Sequence, residues 1–135
     1  MTVSPPRAGF LTLMTDKRTV TLRLPWPPSL NRIWRAVNNR IILSESARKY
    51  ATAAANALPP GRVDPLRGRL VVTMSLCPPA SQGSKKWDVA NREKLVADIL
   101  TKQRVWLDDE QVDTWLMTRG DPSKLGHVDI LIQEY

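Results

Sequence analysis

One cysteine and one histidine occur in 135 residues, and no apolar run is long. Each scarcity excludes something. The single thiol, Cys77, cannot close an internal disulfide, and within an apolar run it reads as a small core residue, which suits a reducing compartment. His127, just before an expected strand, reads as structural or surface. No segment approaches the roughly 18 consecutive apolar residues that a membrane span requires. The short apolar piece at residues 10–14 lacks a basic start followed by a long apolar stretch, so no signal peptide is expected. There is no glycine-rich phosphate loop and no Cys/His set with zinc spacing, which weakens nucleotide-triphosphatase and zinc-finger readings. Internal repeats and low-complexity tracts are also lacking.

Acidic charge is in the minority, 13 aspartate and glutamate against 20 lysine and arginine, for a net charge of +7. The basic residues are spread along the chain, which favours nucleic acid over an anionic membrane or an acidic partner. An apolar content of 42% in a chain of this length is enough for one globular domain with a real core. Residues 18–135 are expected to form that domain, and residues 1–17 a flexible arm or leader.

Apolar residues alternate over residues 18–24, with Val20, Leu22 and Leu24 on one face, as in a half-buried strand. The run Pro25-Trp26-Pro27-Pro28-Ser29 ends it. Residues 31–43 read as an irregular hairpin or loop turning at Asn38-Asn39. Ser44 caps an alanine-rich helix over residues 45–58. Residues 69–76 are the strongest strand candidate. A second helix is expected from a cap at Asp88 to about residue 103, then strands over 112–118 and 128–133, joined through Gly120-Asp121-Pro122-Ser123. The order β, α, β, α, β, β predicts an α/β (α+β) domain with two helices packed on one face of a mixed β-sheet.

The few carboxylates are grouped. Asp88, Asn91, Lys94 and Asp98 recur at one-turn spacing, and Asp108-Asp109 follow ten residues later. On an ideal helix, Asn91, Lys94 and Asp98 share a polar stripe with Asp88 at its leading edge. Val89, Val96, Ile99 and Leu100 face the sheet. Carboxylates set among phosphates repel them unless a divalent cation intervenes, so an acidic pocket on a basic surface suits metal-dependent phosphodiester hydrolysis. Taken singly the pieces have plainer readings. Asp88 is a helix cap, Lys94–Asp98 a solvated ion pair, Asp108-Asp109 a polar turn, and Trp87, Trp106 and Trp115 core or interface anchors.

Three stretches in register resemble the RusA family of Holliday junction resolvases. Residues 24–32, Leu-Pro-Trp-Pro-Pro-Ser-Leu-Asn-Arg, are similar to its Pro-Pro-Ser-x-Asn signature. Residues 87–94, Trp-Asp-Val-Ala-Asn-Arg-Glu-Lys, are similar to its Asp-x-Asp-Asn-x-x-Lys motif with one replacement. Residues 98–101 and 105–112 are similar to its Asp-x-Leu and Leu-Asp-Asp-x-Gln-Val elements. The resemblance runs over about residues 19–135. It implies a homodimeric, Mg2+-dependent endonuclease of the bacterial or phage-infected cytoplasm that binds four-way DNA junctions and nicks two opposed strands symmetrically. By motif, Asp88 and Asp109 would be metal ligands and Lys94 would stabilise charge on the phosphate. Asn91, Asp98 and Asp108 would be supporting groups, with Asp108 open to a simple turn role. Arg32, Arg35, Arg40, Lys85 and Lys86 are candidates for phosphate contacts.

The departure from the motif is Ala90, which stands where the family has a carboxylate. Alanine cannot ligate a metal, so cleavage is expected to be severely impaired while DNA affinity survives or rises. An engineered inactivation and a natural lapse both fit, and the intact Asp88, Asn91, Lys94 and Asp109 favour the first. Two rivals remain. One is a junction-binding protein without nuclease activity. The other is a general basic nucleic-acid module whose acidic residues are caps.

Overall fold

The computed structural model describes residues 18–29, 34–59, 64–82, 86–89 and 92–135. Alternation sets the sheet. In β1 (Thr19–Pro25), Leu22 and Leu24 are buried; in β4 (Leu70–Cys77), so are Leu70, Val72, Met74 and Leu76. The inward set of β6 (His127–Glu134) is Val128, Ile130 and Ile132, while β5 (Val112–Arg119) turns Trp115 and Met117 toward the core. The strand order is β1-β6-β4-β5. Strand β6, last in the chain, therefore lies between β1 and β4, antiparallel to both, and β4 pairs parallel with β5.

Parallel neighbours need a crossover, and helix α2 (Glu93–Lys102) lies in the β4–β5 connection. Helix α1 (Glu45–Ala57) starts where Ser44 Oγ accepts the Ala47 N–H at 3.2 Å. Both helices cover the same side of the sheet. Ala47, Tyr50 and Ala54 of α1 and Leu95, Val96, Ile99 and Leu100 of α2 join the inward strand residues in one core. The Tyr50 hydroxyl donates to the Pro25 carbonyl at 2.8 Å, so its burial leaves no orphaned polar group. The expected mixed sheet with two helices on one face is thus observed. Among the described residues no helix covers the other face, and Thr21, Arg23, Thr73, Ser75, Asp129 and Leu131 line a groove of about 580 Å3 there.

The segment expected as a hairpin or loop contains a regular two-strand ladder, β2 (Trp34–Val37) against β3 (Arg40–Leu43). Asn38 and Asn39 take φ of 50° and 63°, which a two-residue hairpin of this hand requires and asparagine tolerates. One expectation fails. Asp88 does not cap α2: the helix begins at Glu93 with Arg92 in the cap position. Tertiary contacts fix Trp87 and Arg92 on either side of Asp88. Trp87 meets Trp26 edge-on at 5.1 Å, Arg119 lies 4.0 Å over the Trp87 ring and donates to its carbonyl, and Arg92 donates to the Pro27 carbonyl at 2.8 Å. Of the described residues of the expected polar stripe, Lys94 and Asp98 lie on α2 and Asp88 precedes it.

Gln111 is the one buried polar side chain among the described residues. Its Oε1 accepts the N–H groups of Leu107 and Asp108 at 2.7 and 2.9 Å, and its Nε2 donates to the carbonyls of Leu66 and Gly68 at 2.9 and 3.0 Å. Gln111→Ala strands four backbone groups. We expect it to lower the urea midpoint by the equivalent of about 2–3 kcal/mol with an unchanged m-value, as read by circular dichroism.

Acid sensitivity follows from three carboxylates held below the usual range. Hydrogen bonds from Arg69, then from Tyr135, depress Asp113. Arg23 depresses Asp129. Burial pushes Glu134 up, but N–H donors from Gly68 and Arg67 and contacts with Arg18 outweigh it. A depressed folded-state pKa stabilises at pH above the unfolded value, and that contribution is lost as pH falls through the folded value. Urea midpoints should therefore hold from neutrality to about pH 5 and decline below about pH 4. The decline should be shallower in Arg69→Met.

Candidate active site

Asp109 is the most firmly positioned of the expected site residues. It opens the short 3-10 turn Asp109–Gln111, whose cap is Asp108. The Trp106 indole N–H donates to Asp109 Oδ1 at 3.1 Å and to Thr101 Oγ1 at 2.6 Å. The Thr101 hydroxyl also contacts Asp109 Oδ1 and lies 3.2 Å from the Ala97 carbonyl of α2. Trp106 is fully buried and packs edge-on against Trp115 at 5.9 Å. A rigid indole thus fixes the carboxylate through Oδ1. Among the described residues no hydrogen bond reaches Oδ2, which keeps its lone pairs for another ligand.

Asp108 plays a different part. Its Oδ1 accepts the Glu110 N–H at 2.9 Å, and with Gln111 it closes a reciprocal capping box. It shapes the turn that presents Asp109. Of the adjacent pair, the exposed Asp108 holds backbone, and the half-buried Asp109 is held by side chains.

On α2, Lys94 Nζ lies 3.2 Å from Asp98 Oδ1, and both side chains are about half exposed. Asp98 and Thr101 are three residues apart on the helix, so the Lys94–Asp98 pair and the Thr101 anchor of Asp109 share one side of α2. Glu93, absent from the expected site, belongs in this group. Partial burial raises its carboxyl above the usual range, and Asp98 adds to the rise while Lys94 opposes it. Asp88 is exposed on the segment leading into α2, next to the Trp87 stack. Ala90 and Asn91 lie outside the described residues.

The basic candidates divide. Lys86 and Arg40 are exposed. Arg35 belongs to β2, and Arg32 and Lys85 lie outside the described residues. The sequence reading missed the holders: Thr101, the Trp106 indole N–H, and the Arg92–Trp26–Trp87–Arg119 stack, with Arg92 5.0 Å over the Trp26 ring. Trp106 three residues before Asp109 was a usable signal, because a buried indole N–H needs an acceptor. The stack joins residues distant in sequence and left no local trace. Trp87, Trp106 and Trp115 all pack in or against the core, as their anchor reading expected.

Carboxylates predominate among these side chains, and carboxylate oxygens are the donors a hard divalent cation takes. A search of protein families matches residues 25–133 to the model described as Endodeoxyribonuclease RusA. The chain is 29% identical to the crossover junction endodeoxyribonuclease RusA of Escherichia coli K12 over 121 residues, covering 86% of this chain and 95% of that one. Its namesake from Enterobacteria phage 82 has the same identity and coverage, and that of Escherichia coli O139:H28 is 30% identical over 122 residues. Among the described residues no helix is long and apolar enough to cross a membrane.

Proposed function

The chain belongs to the endodeoxyribonuclease RusA family, and on that premise we propose that it binds four-way DNA junctions as a homodimer. Its inherited reaction is the paired, symmetric, Mg2+-dependent nicking of two like strands in the bacterial or phage-infected cytoplasm. In this chain Ala90 impairs that reaction. The observation that carries the reading is Asp109, held through Oδ1 by Trp106 and by Thr101, with Thr101 on the side of α2 that bears Lys94 and Oδ2 without a hydrogen bond among the described residues.

Asp88 and Asp109 would hold Mg2+, which supplies water activation and charge neutralisation at the scissile phosphate. The chain's own groups do the rest. Lys94 meets the phosphate. Its exposed pair with Asp98 is worth under about 1 kcal/mol, so an incoming phosphate oxygen displaces the carboxylate at little cost. Asp98 keeps the ammonium in place until then, and Asn91 positions substrate. Asp108 fixes the turn beneath Asp109. Two-fold symmetry matches the substrate, because two equal strands require two equal sites. Ala90 also supports a second reading, a junction binder that no longer cuts.

Binding tests both readings against a general basic module. By fluorescence anisotropy without metal, the chain should prefer a four-way junction over duplex of the same sequence by at least about tenfold, with affinity falling steeply as salt rises. Lys86→Gln and Arg40→Gln should each flatten the logarithmic salt dependence by about one unit. Equal affinity for junction and duplex defeats the proposal.

A further inference from the structure

Cys77 and His127 read separately as unremarkable structural residues, but the sheet puts them face to face. They are directly paired positions of antiparallel β4 and β6, and Asp129 is two residues along β6 on the same face. The Cys77 sulfur, an imidazole nitrogen of His127 and a carboxylate oxygen of Asp129 lie within 4.8 Å of one another. His127 Nε2 is 3.3 Å from Asp129 Oδ2. We propose that Cys77, His127 and Asp129 form a binding site for a zinc-type divalent transition ion, separate from the nuclease carboxylates.

The donor chemistry selects the ion. One thiolate, one imidazole and one carboxylate suit Zn2+ and its neighbours in the transition series, not Mg2+. Donor atoms around a tetrahedral zinc are about 3.3–3.8 Å apart, so side-chain rotations of roughly 1 Å close the triangle. Three protein ligands leave a fourth position for water, on the open sheet face where Asp129 lines the groove beside Arg23, Thr73 and Ser75.

The surroundings supply outer support. Ser123 Oγ lies 3.0 Å from His127 Nδ1 and can accept a hydrogen bond from that ring N–H, which leaves Nε2 free of a proton on the side of Asp129. The same hydroxyl accepts the Gly126 N–H at 3.1 Å and is therefore held in place. Gly120 comes so close that an added Cβ would sit 2.5 Å from the Cys77 sulfur, so the loop after β5 covers the thiol and leaves its inner side buried. Arg23 grips Asp129 with Nε–Oδ1 at 2.7 Å and Nη2–Oδ2 at 3.1 Å. Each carboxylate oxygen has two lone pairs, so this grip and a metal bond are compatible. Its charge opposes the ion and limits affinity. Thiolate and carboxylate neutralise the dication, and Arg23 leaves the site with excess positive charge. A metal here would tie the middle strands β4 and β6 together.

Co2+ reports the site directly. The full chain, reduced and metal-free, should bind one Co2+ with a thiolate-to-cobalt charge-transfer band that Zn2+ abolishes by displacement. His127→Gln and Asp129→Asn should each weaken Co2+ binding by at least about tenfold. Ser123→Ala should do so by about tenfold to a hundredfold. Arg23→Gln should tighten it, and Asp88→Asn with Asp109→Asn should leave the band intact. Cys77→Ser should remove the band, and if that variant fails to fold the His127→Gln titration decides alone. Circular dichroism checks every variant. The site is refuted if excess Co2+ gives no thiolate band, if His127→Gln binds as tightly as the parent, or if the band vanishes with the nuclease carboxylates. The last outcome would mean that metal at Cys77 depends on Asp88 and Asp109, so that no separate site exists, and it would leave the nuclease reading untouched.

Discussion

Ala90→Asp should raise Mg2+-dependent nicking of a labelled four-way junction by about a hundredfold to a thousandfold, equivalent to about 2.7–4 kcal/mol in the barrier. Mg2+ demands a near-octahedral oxygen shell and gives up water reluctantly, so it is held by a few carboxylates and leaves the other positions to solvent and phosphate. On the proposed reading, alanine at position 90 would leave Asp88 and Asp109 to hold the ion with no motif carboxylate between them. A carboxylate there adds a ligand and a negative charge, which raises occupancy and fixes the cation against the scissile phosphate. The same charge has the opposite effect without metal. It repels the DNA backbone, so metal-free junction affinity should fall modestly in the variant. The paired readout distinguishes the two readings of Ala90. Nicking gained with metal-free affinity reduced marks a site missing one ligand. If Ala90→Asp still fails to cut and both chains prefer the junction, the protein is a structure-selective binder, and the metal assignments of Asp88 and Asp109 fall.

Features written in short-range periodicity were legible before the fold. The alternation of Leu22 and Leu24, the apolar run of β4, and the Ser44 cap each depend on residues within one turn or one strand, and each element lies within a residue or two of its expected place. The two-residue hairpin at Asn38-Asn39 was half legible, since asparagine marks a turn but does not say that the flanks will pair. The start of α2 was not. Asp88 followed by an apolar-periodic run is a proper capping signal, yet the Trp26–Trp87 contact and Arg119 stack override it with partners 61 and 32 residues away. The site divides the same way. The motif residues were visible as a pattern, whereas the split between Asp108 as cap and Asp109 as the carboxylate held by side chains depends on a buried indole. The pairing of Cys77 with His127 needs the strand order, in which β6 returns to the middle of the sheet, and no local spacing carries that.

In the Ala90→Asp background, Asp109→Asn should cut nicking by at least about a thousandfold, some 4 kcal/mol, while the thermal midpoint stays within about 4 °C of the parent. The separation of effects follows from the two oxygens. An asparagine can place its carbonyl where Oδ1 stands and still accept from Trp106 and Thr101, so the buried indole N–H keeps its partner and the fold loses little. The amide nitrogen then occupies the Oδ2 position, where it carries hydrogens and no negative charge, and it cannot ligate a hard cation. Thr101→Val makes the complementary change. The carboxylate survives, but the indole N–H loses the nearer of its two acceptors and Asp109 loses its tether to α2. Activity should fall about tenfold, because a charged ligand displaced by a fraction of an ångström costs less than one removed. Activity restored to Thr101→Val by excess Mg2+, with none restored to Asp109→Asn, would separate positioning from ligation. Undiminished nicking by Asp109→Asn would remove this carboxylate from the metal site, and with it the geometric support for the nuclease reading.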